Sequence, residues 1–371
     1  MRYRDLILVL LCFSCAAASQ AQKPSPASPP VVTPAIDGVL AAFQKSPLVG
    51  LSDDHALAQE EDFYVSLISD PRFAKQVGNV VVEFGNASQQ QTIDRYLNGE
   101  DVPYVELRKV WGDTSYVGWL PTVTALGYLN FYAAVRTANL KLPTGERIHV
   151  WLGGQPVDWS TIKTKEELSQ VIGGPADRFP ADLIEQQILE KNRKALVIYG
   201  TFHFYDKGEL AELIRQRHPG ALFVITPYTG FVDKSCSDVF ELKAVDWPIP
   251  AIAAVRGNEL DQQTPDAACH ILDASNFAGM TEVQRANIRS AMESQTSLLV
   301  GNSVLFLGPA RALTKSPLSP DLYLDPEFRK ENDRRAALLG GAPDPWPTVM
   351  DNPMSPQFLR DYGGHPGSPA K

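Results

Sequence analysis

The chain alternates short, continuously apolar runs with longer amphipathic segments. The apolar runs such as VVVEF, ALVIY and LFVIT do not alternate apolar with polar positions, which is typical of strands buried on both faces of a parallel sheet. Seven runs are predicted as strands: 48–52, 79–85, 147–153, 195–200, 221–226, 251–255 and 303–308.

Helical spacing marks the segments between these strands. Apolar and polar residues recur every three to four positions from Leu57 to Ile68, in 183–191 and in 210–214. Helices that alternate with parallel strands predict an α/β layered fold, with a mainly parallel central sheet flanked by helices. Residues 37–339 are expected to form this single domain.

The N-terminus has the pattern of a secretory signal peptide. Arg2 and Arg4 precede an apolar run at 6–13, and small residues follow at 16–21. The run is shorter than the ~20 residues that a spanning helix needs. We therefore expect residues 1–21 to be removed during export to the periplasm or the medium, with no lasting membrane span. Acylation of Cys15, as in a lipoprotein, is the alternative.

Two proline-rich segments flank the predicted domain. Residues 22–36 are expected to be an extended Pro/Ser-rich linker, and residues 340–371 a flexible tail. After removal of the signal peptide two cysteines remain, Cys236 and Cys269. In an oxidising compartment they could form a disulfide or remain as two buried thiols, and the sequence leaves both open.

Composition and motifs exclude several function classes. The chain has a net charge of −9 and no cluster of basic residues, which argues against nucleic-acid binding. The chain has no P-loop, Gly-x-Gly-x-x-Gly, Gly-x-Ser-x-Gly or His-Glu-x-x-His motif. Ser160 and Lys163 match a Ser-x-x-Lys pattern, which chance supplies easily. A small-molecule ligand or substrate is the expected partner, and the oligomeric state is not predictable.

Titratable side chains follow three of the predicted strands. His55 and Asp53 come at the end of 48–52, Glu83 lies near the end of 79–85, and His203 follows 195–200. Because ligands bind beyond the carboxyl ends of parallel strands, we expect these four side chains to share one crevice. Two histidines with carboxylates suit either a transition metal or acid/base chemistry.

Glu83 carries the strongest signal, because a carboxylate within an apolar strand is costly unless it is paired or ligating. The alternative to a functional role is an ion pair with an arginine such as Arg178. Of the other histidines, His149 is expected in the core, His218 at a helix C-terminus, and His270 beside Cys269 could bind metal.

The same segments resemble the erythromycin esterase, ChaN and Tiki/TraB superfamily. Its members have a Gly-Glu-x-His-like motif after an early strand, a glutamate at the end of the next strand, and a later Gly-x-x-His motif. Gly200-Thr201-Phe202-His203 fits the last motif and Glu83 the second, while the first departs, with Ser52 for glycine and Asp53 two residues before His55. Asp158 would match an aspartate of esterase-like members.

The resemblance implies an α/β fold and two alternative activities. The first is an exported hydrolase of an ester or amide with Glu83, His203 and His55 as catalytic residues. Glu83 and His203 would activate water, directly or on a metal, and His55 and Asp53 would position or ligate. The second is a periplasmic iron- or haem-binding protein without turnover, with a divalent transition metal or haem iron held by Asp53, His55, Glu83 and His203. A third reading, motivated by the altered first motif, is a scaffold that has lost its activity.

Overall fold

The computed structural model describes residues 28–114, 126–175, 177–204, 209–230, 234–260, 301–314, 316 and 324–338. The predicted signal peptide, the proline-rich tail, Cys269 and His270 lie outside the described residues. Within them, every helix is too short or too polar to cross a bilayer.

Eight strands form one sheet in the order β1-β7-β8-β6-β2-β5-β3-β4. All neighbours are parallel except that β7 runs antiparallel to β1 and β8. The predicted mainly parallel sheet of a single α/β domain is confirmed, and each predicted strand is present with slightly shifted ends. The strands are β1 Val32–Pro34, β2 Leu48–Asp53, β3 Asn79–Asn86, β4 His149–Gly154, β5 Ala195–Gly200, β6 Leu222–Pro227, β7 Ala251–Ala254 and β8 Ser303–Phe306.

Helices lie between the strands, as the alternating pattern predicts. Asp70 accepts a hydrogen bond from the backbone of Arg72 and caps α3, and Thr164 and Glu167 form a capping box at α8. The helices are α1 Ala35–Ala42, α2 Ala58–Ser69, α3 Pro71–Gln76, α4 Gln90–Leu97, α5 Tyr104–Leu107, α6 Lys109–Gly112, α7 Leu126–Asn139, α8 Lys165–Ile172, α9 Arg178–Ile184, α10 Glu209–Arg217, α11 Lys234–Lys243 and α12 Pro326–Leu338.

Successive side chains of the central strands enter two different cores. Val80 and Val82 pack on one face of the sheet with residues of α1, α2, α4 and α7. Val81 packs on the opposite face with residues of α9 and α10. Both cores are apolar because strands buried on two faces have no solvent side. This alternation decides the side of the sheet to which each residue at a strand end points.

The segment predicted as a linker is partly structured. Val32–Pro34, within residues 22–36, pairs antiparallel with β7 as an edge strand, and α1 follows directly. An edge strand tolerates Pro34 because only one side of it donates to a neighbour. The proline-rich composition concealed this short strand, so the ordered part of the chain begins earlier than the pattern indicated.

The C-terminal helix α12 is attached to the loop after α6. Arg335 is 9% exposed, lies 2.9 Å from Asp113 and donates to the carbonyl oxygen of Gly112 at 2.8 Å. Its guanidinium also lies 4.9 Å from the ring centroid of Trp159. These contacts hold α12 against the domain through a buried ion pair, beside which Ala336 and Leu338 pack on a small apolar cluster.

Candidate active site

The first part of the site lies at the carboxyl end of β2. Asp53 is the last residue of β2 and is buried, and its Oδ2 lies 2.7 Å from Nδ1 of His55. The His55 side chain is 34% exposed. Since an ionised carboxylate only accepts hydrogen bonds, Nδ1 of His55 carries the proton.

Two tyrosines complete the surroundings of Asp53. Tyr64 in α2 donates to Oδ1 at 2.8 Å, and Tyr128 in α7 donates to Oδ2 at 2.7 Å. Asp53 has the same parity as Leu51, which packs in the core on the α2 and α7 side of the sheet. The Asp53 side chain therefore lies on the face of the sheet that α2 and α7 cover, where the two tyrosines can reach it.

The environment of His55 favours its charged form. Burial alone would lower the pKa of His55, but the hydrogen bond and charge of Asp53, with the charges of Glu83 and Asp54, raise it to about 9. At neutral pH the ring is therefore an imidazolium paired with a carboxylate.

The second part of the site is built around Glu83 in β3. The backbone N–H of Gly200 donates to Oε2 of Glu83 at 2.6 Å, and Nε2 of His203 lies 3.3 Å from Oε1. Glu83 is buried, and its charge is compensated by these two donors. The predicted alternative, an ion pair with Arg178, is wrong: Arg178 is exposed and lies 3.9 Å from Asp182.

Asp177 holds the other side of His203. Nδ1 of His203 lies 2.7 Å from Oδ1 and 2.8 Å from Oδ2 of Asp177, and the backbone N–H of Leu210 donates to Oδ2 at 2.8 Å. Asp177 is buried. His203 therefore bridges two carboxylates, Asp177 through Nδ1 and Glu83 through Nε2.

The charges of this second part stabilise one another. Burial would raise the pKa of Glu83, but the charges of His203 and His55 and the hydrogen bonds of His203 and Gly200 lower it to about 2. Burial would lower the pKa of His203, but Glu83 and Asp177 raise it to about 10. At neutral pH Glu83 is thus an anion between two imidazolium ions.

Gly200 is the point at which the two parts meet. It ends β5, which lies between β2 and β3, and its register partner is Asp53. A Cβ on Gly200 would lie 2.9 Å from Nε2 of His55 and 3.4 Å from Oε2 of Glu83. The missing side chain lets the imidazole and the carboxylate approach each other across the end of the strand.

A further carboxyl group lies behind the site. Glu60 in α2 is fully buried, and its Oε2 accepts the backbone N–H of Asp54 at 2.9 Å. Burial and the charge of Asp53 raise the pKa of Glu60 well above its ordinary value. Burial and the nearby carboxylate thus favour the protonated form of Glu60.

The predicted metal ligands are engaged with one another. Both oxygens of Asp53, both oxygens of Glu83 and both nitrogens of His203 have protein partners. In the described part of the chain, no group of three or more His, Cys, Asp or Glu side chains is arranged to hold a metal ion. Asp53, His55, Glu83 and His203 thus form an ion-pair network in this arrangement, and their role as metal ligands stays a prediction.

Several other residues noted in the sequence lie away from the site. Asp158 is exposed and accepts hydrogen bonds from the backbone and hydroxyl of Ser160. Lys163 donates to the carbonyl of Ser160 and not to its hydroxyl, so no Ser-x-x-Lys nucleophile forms. His149 packs against Trp151, and His218, just beyond α10, lies 3.3 Å from Glu185.

Sequence reasoning missed three residues of the site. Asp177 directly precedes α9, where an aspartate is typical of a helix cap, although it makes no capping bond. Tyr64 and Tyr128 belong to amphipathic helices, where a tyrosine is usually part of the core. All three reach the site only through contacts between distant parts of the chain.

Comparison with known proteins gives low similarity. No family model and no curated protein matches the chain. The solved structures with some similarity include the type III effector HopBA1, at 14% identity and a TM-score of 0.36 over 56% of this chain and 89% of that one. ChaN of Campylobacter jejuni, which binds haem cofacially, has 12% identity and a TM-score of 0.32 over 53% and 88%. A protein from Bacillus cereus has 13% identity and a TM-score of 0.33 over 55% and 73%. These values are too low to assign a family or an activity, so the function must be inferred from the site.

Proposed function

We propose that the protein is a hydrolase of an ester or amide bond whose reacting groups are Glu83 and His55. The observation that carries the proposal is the convergence of two Asp–His pairs, Asp53–His55 and Asp177–His203, on Glu83 at the ends of adjacent strands. Groups with strongly shifted pKa values that meet at the carboxyl edge of an α/β sheet are typical of catalytic sites.

The charges assign a role to each group. Glu83, ionised at neutral pH, accepts a proton from the attacking water, and His55, protonated at neutral pH, donates a proton to the leaving oxygen or nitrogen. The charge of His55 lowers the pKa of Glu83, so loss of the His55 proton raises the proton affinity of Glu83. The two transfers therefore favour each other.

Exposure supports the role of His55. Its side chain is 34% exposed and can reach a substrate, whereas those of Glu83, His203 and Asp177 are 8%, 17% and 4% exposed. His203 holds Glu83 in place, and Asp177 holds His203. The proposed proton transfers use the side chains of Glu83 and His55.

The proposal is tested by turnover of a panel of p-nitrophenyl esters and anilides. We expect Glu83→Gln to reduce kcat at least ~100-fold and chelators to have no effect. Asp158→Asn, a carboxylate outside the site, is the matched control and should retain full activity.

Elemental analysis and the visible spectrum of the same preparation test the alternative. Two results together would favour an iron- or haem-binding protein over a hydrolase. The preparation would contain stoichiometric iron or show a haem band, and the unsubstituted protein would turn over no faster than Glu83→Gln. Full activity of Glu83→Gln would also overturn the proposal.

A further inference from the structure

Asp53 accepts hydrogen bonds from two hydroxyl groups that belong to different helices. Tyr64 lies in α2 and Tyr128 in α7, and each donates to a different oxygen of the carboxylate, at 2.8 and 2.7 Å. Tyr128 also lies 3.4 Å from Nδ1 of His55. Each oxygen of the carboxylate thus accepts a hydrogen bond from a tyrosine, and rotation of the carboxylate would break both bonds.

The close approach of the two helices makes this arrangement possible. A Cβ on Gly127 would lie only 1.8 Å from Oε2 of Glu61 in α2, so the glycine leaves room for this buried side chain between α7 and α2. The ring of Tyr128 is fixed from the other side by Phe84, whose centroid is 4.1 Å away at an interplanar angle of 14°. Both tyrosines are fully buried, which fixes their hydroxyl groups in space.

We propose that Tyr64 and Tyr128 are positioning residues that hold Asp53 so that His55 keeps its proton on Nδ1 and directs Nε2 toward Glu83. The inference rests on the proposed function only in taking His55 as the proton-transfer group. Neither tyrosine touches the reacting atoms.

The two hydroxyl groups also limit how tightly the Asp53–His55 pair holds its proton. Hydrogen bonds stabilise the Asp53 anion most when it lacks its imidazolium partner, that is, after His55 has lost its proton. Removing a hydroxyl therefore favours the protonated pair. The other titratable groups facing His55 and Asp53 are Asp54, Glu60 and Glu83, which none of the tyrosine substitutions removes.

The test is a ¹⁵N NMR titration of the histidine side chains in the full chain without substrate. Six histidines give six sets of signals, and His55→Gln assigns the one of interest. We expect Tyr64→Phe and Tyr128→Phe each to raise the pKa of His55 by about 0.5–1 unit, as loss of one hydrogen bond implies. Above that pKa the neutral ring should change from the Nδ1–H tautomer to a mixture.

Tyr132→Phe is the matched control. Tyr132 lies one turn further along α7, is equally buried and donates to the carbonyl oxygen of Phe84 at 2.9 Å, away from Asp53. Its loss removes a buried hydrogen bond of the same kind and should leave the His55 titration unchanged. An equal shift in Tyr132→Phe, or no shift in either test variant, would overturn the inference.

Tyr64→Phe and Tyr128→Phe are independent variants, because the two hydroxyl groups belong to different helices, so either one gives the test if the other does not fold. An unchanged titration in the variant that folds counts against the inference. Since no substrate is used, failure of the hydrolase proposal would leave these results intact. Activity lost in Glu83→Gln together with unchanged titrations would overturn only the role of the tyrosines.

Discussion

The His55 ring occupies the space that a Cβ on Gly200 would fill. Nε2 of His55 is 2.9 Å and Cε1 is 3.1 Å from the position that a Cβ on Gly200 would occupy. A side chain at position 200 would therefore collide with His55, which explains sterically why the segment Gly200-Thr201-Phe202-His203 begins with glycine. The motif combines the gap that admits His55 and Glu83 with the histidine that holds Glu83.

Gly200→Ala should inactivate the protein without unfolding it. The new methyl group would push out the His55 ring, which is partly exposed and able to move, and a displacement of this kind costs about 100-fold in kcat. The free energy of unfolding should change by about 1 kcal/mol or less.

Denaturant titration and turnover of a p-nitrophenyl ester check this together. Gly145→Ala is the control, because nothing lies within 4 Å of a Cβ added there. Full activity of Gly200→Ala would show that His55 need not approach Glu83.

Stability should fall at both ends of the pH scale because of the Glu83–His203 pair. The pKa of Glu83 falls from 4.5 to about 2 on folding, so its contribution is complete above pH 4.5 and is lost as pH falls through 2. The pKa of His203 rises from 6.5 to about 10, so its contribution is complete below pH 6.5 and is lost as pH rises through 10.

The measurement is the denaturant midpoint as a function of pH. Glu83→Gln removes one member of the pair and should flatten both the acid and the alkaline limb. If Glu83→Gln keeps both limbs, other groups dominate the pH dependence and this pair contributes little.

Asp177→Asn should remove the ion pair that fixes the His203 ring. An amide carries no negative charge, so it no longer pairs with the His203 imidazolium, although its oxygen can still accept the backbone N–H of Leu210. Breaking a buried ion pair costs about 3–5 kcal/mol, and the pKa of His203 should fall because Asp177 no longer supports its charge.

Thermal unfolding and the histidine NMR titration measure the two effects. Asp182→Asn, a partly exposed carboxylate in α9, is the control and should cost less than about 1 kcal/mol. An unchanged His203 titration in Asp177→Asn would mean that Glu83 alone sets its charge.

Residues near the strands were predictable, whereas their distant partners were not. The apolar runs indicate the strands because burial on both faces leaves no polar position, and His55, Glu83 and His203 stand out as titratable groups at their ends. Asp177, Tyr64 and Tyr128, in contrast, lie in or next to amphipathic helices, where residues of these types are common and do not stand out in the sequence. Their roles depend on how α2, α7 and α9 pack, which is a property of the tertiary structure.

The same contrast applies to the two ends of the domain. Helix α12 was not predicted, since its contact with the domain depends largely on the buried pair of Arg335 and Asp113, which no local pattern shows. Strand β1 was hidden in a proline-rich stretch because three residues give too short a pattern. Residue types alone also do not show that Asp53, Glu83 and His203 have hydrogen-bond partners in the protein.

Arg335→Ala should destabilise the domain by about 3–5 kcal/mol. The change leaves the largely buried Asp113 carboxylate without its guanidinium and removes the contact with the Trp159 ring. Lys330→Ala, an exposed position on the same helix, is the control and should change stability by about 0.5 kcal/mol or less.

Chemical denaturation of the three proteins measures the difference. If Arg335→Ala is no less stable than Lys330→Ala, helix α12 does not depend on this ion pair. A smaller loss at low pH is expected, because protonation of Asp113 removes the charge that needs a partner.

The attachment of α12 also has a consequence for the order in which the chain folds. Arg335 and Gly112 are 223 residues apart, and α12 is the last described element of the chain. During synthesis, the Asp113 loop is made long before the side chain that neutralises it. Contacts of such long sequence separation form late, so the Asp113 carboxylate lacks its guanidinium partner until α12 has been synthesised and packs on the domain.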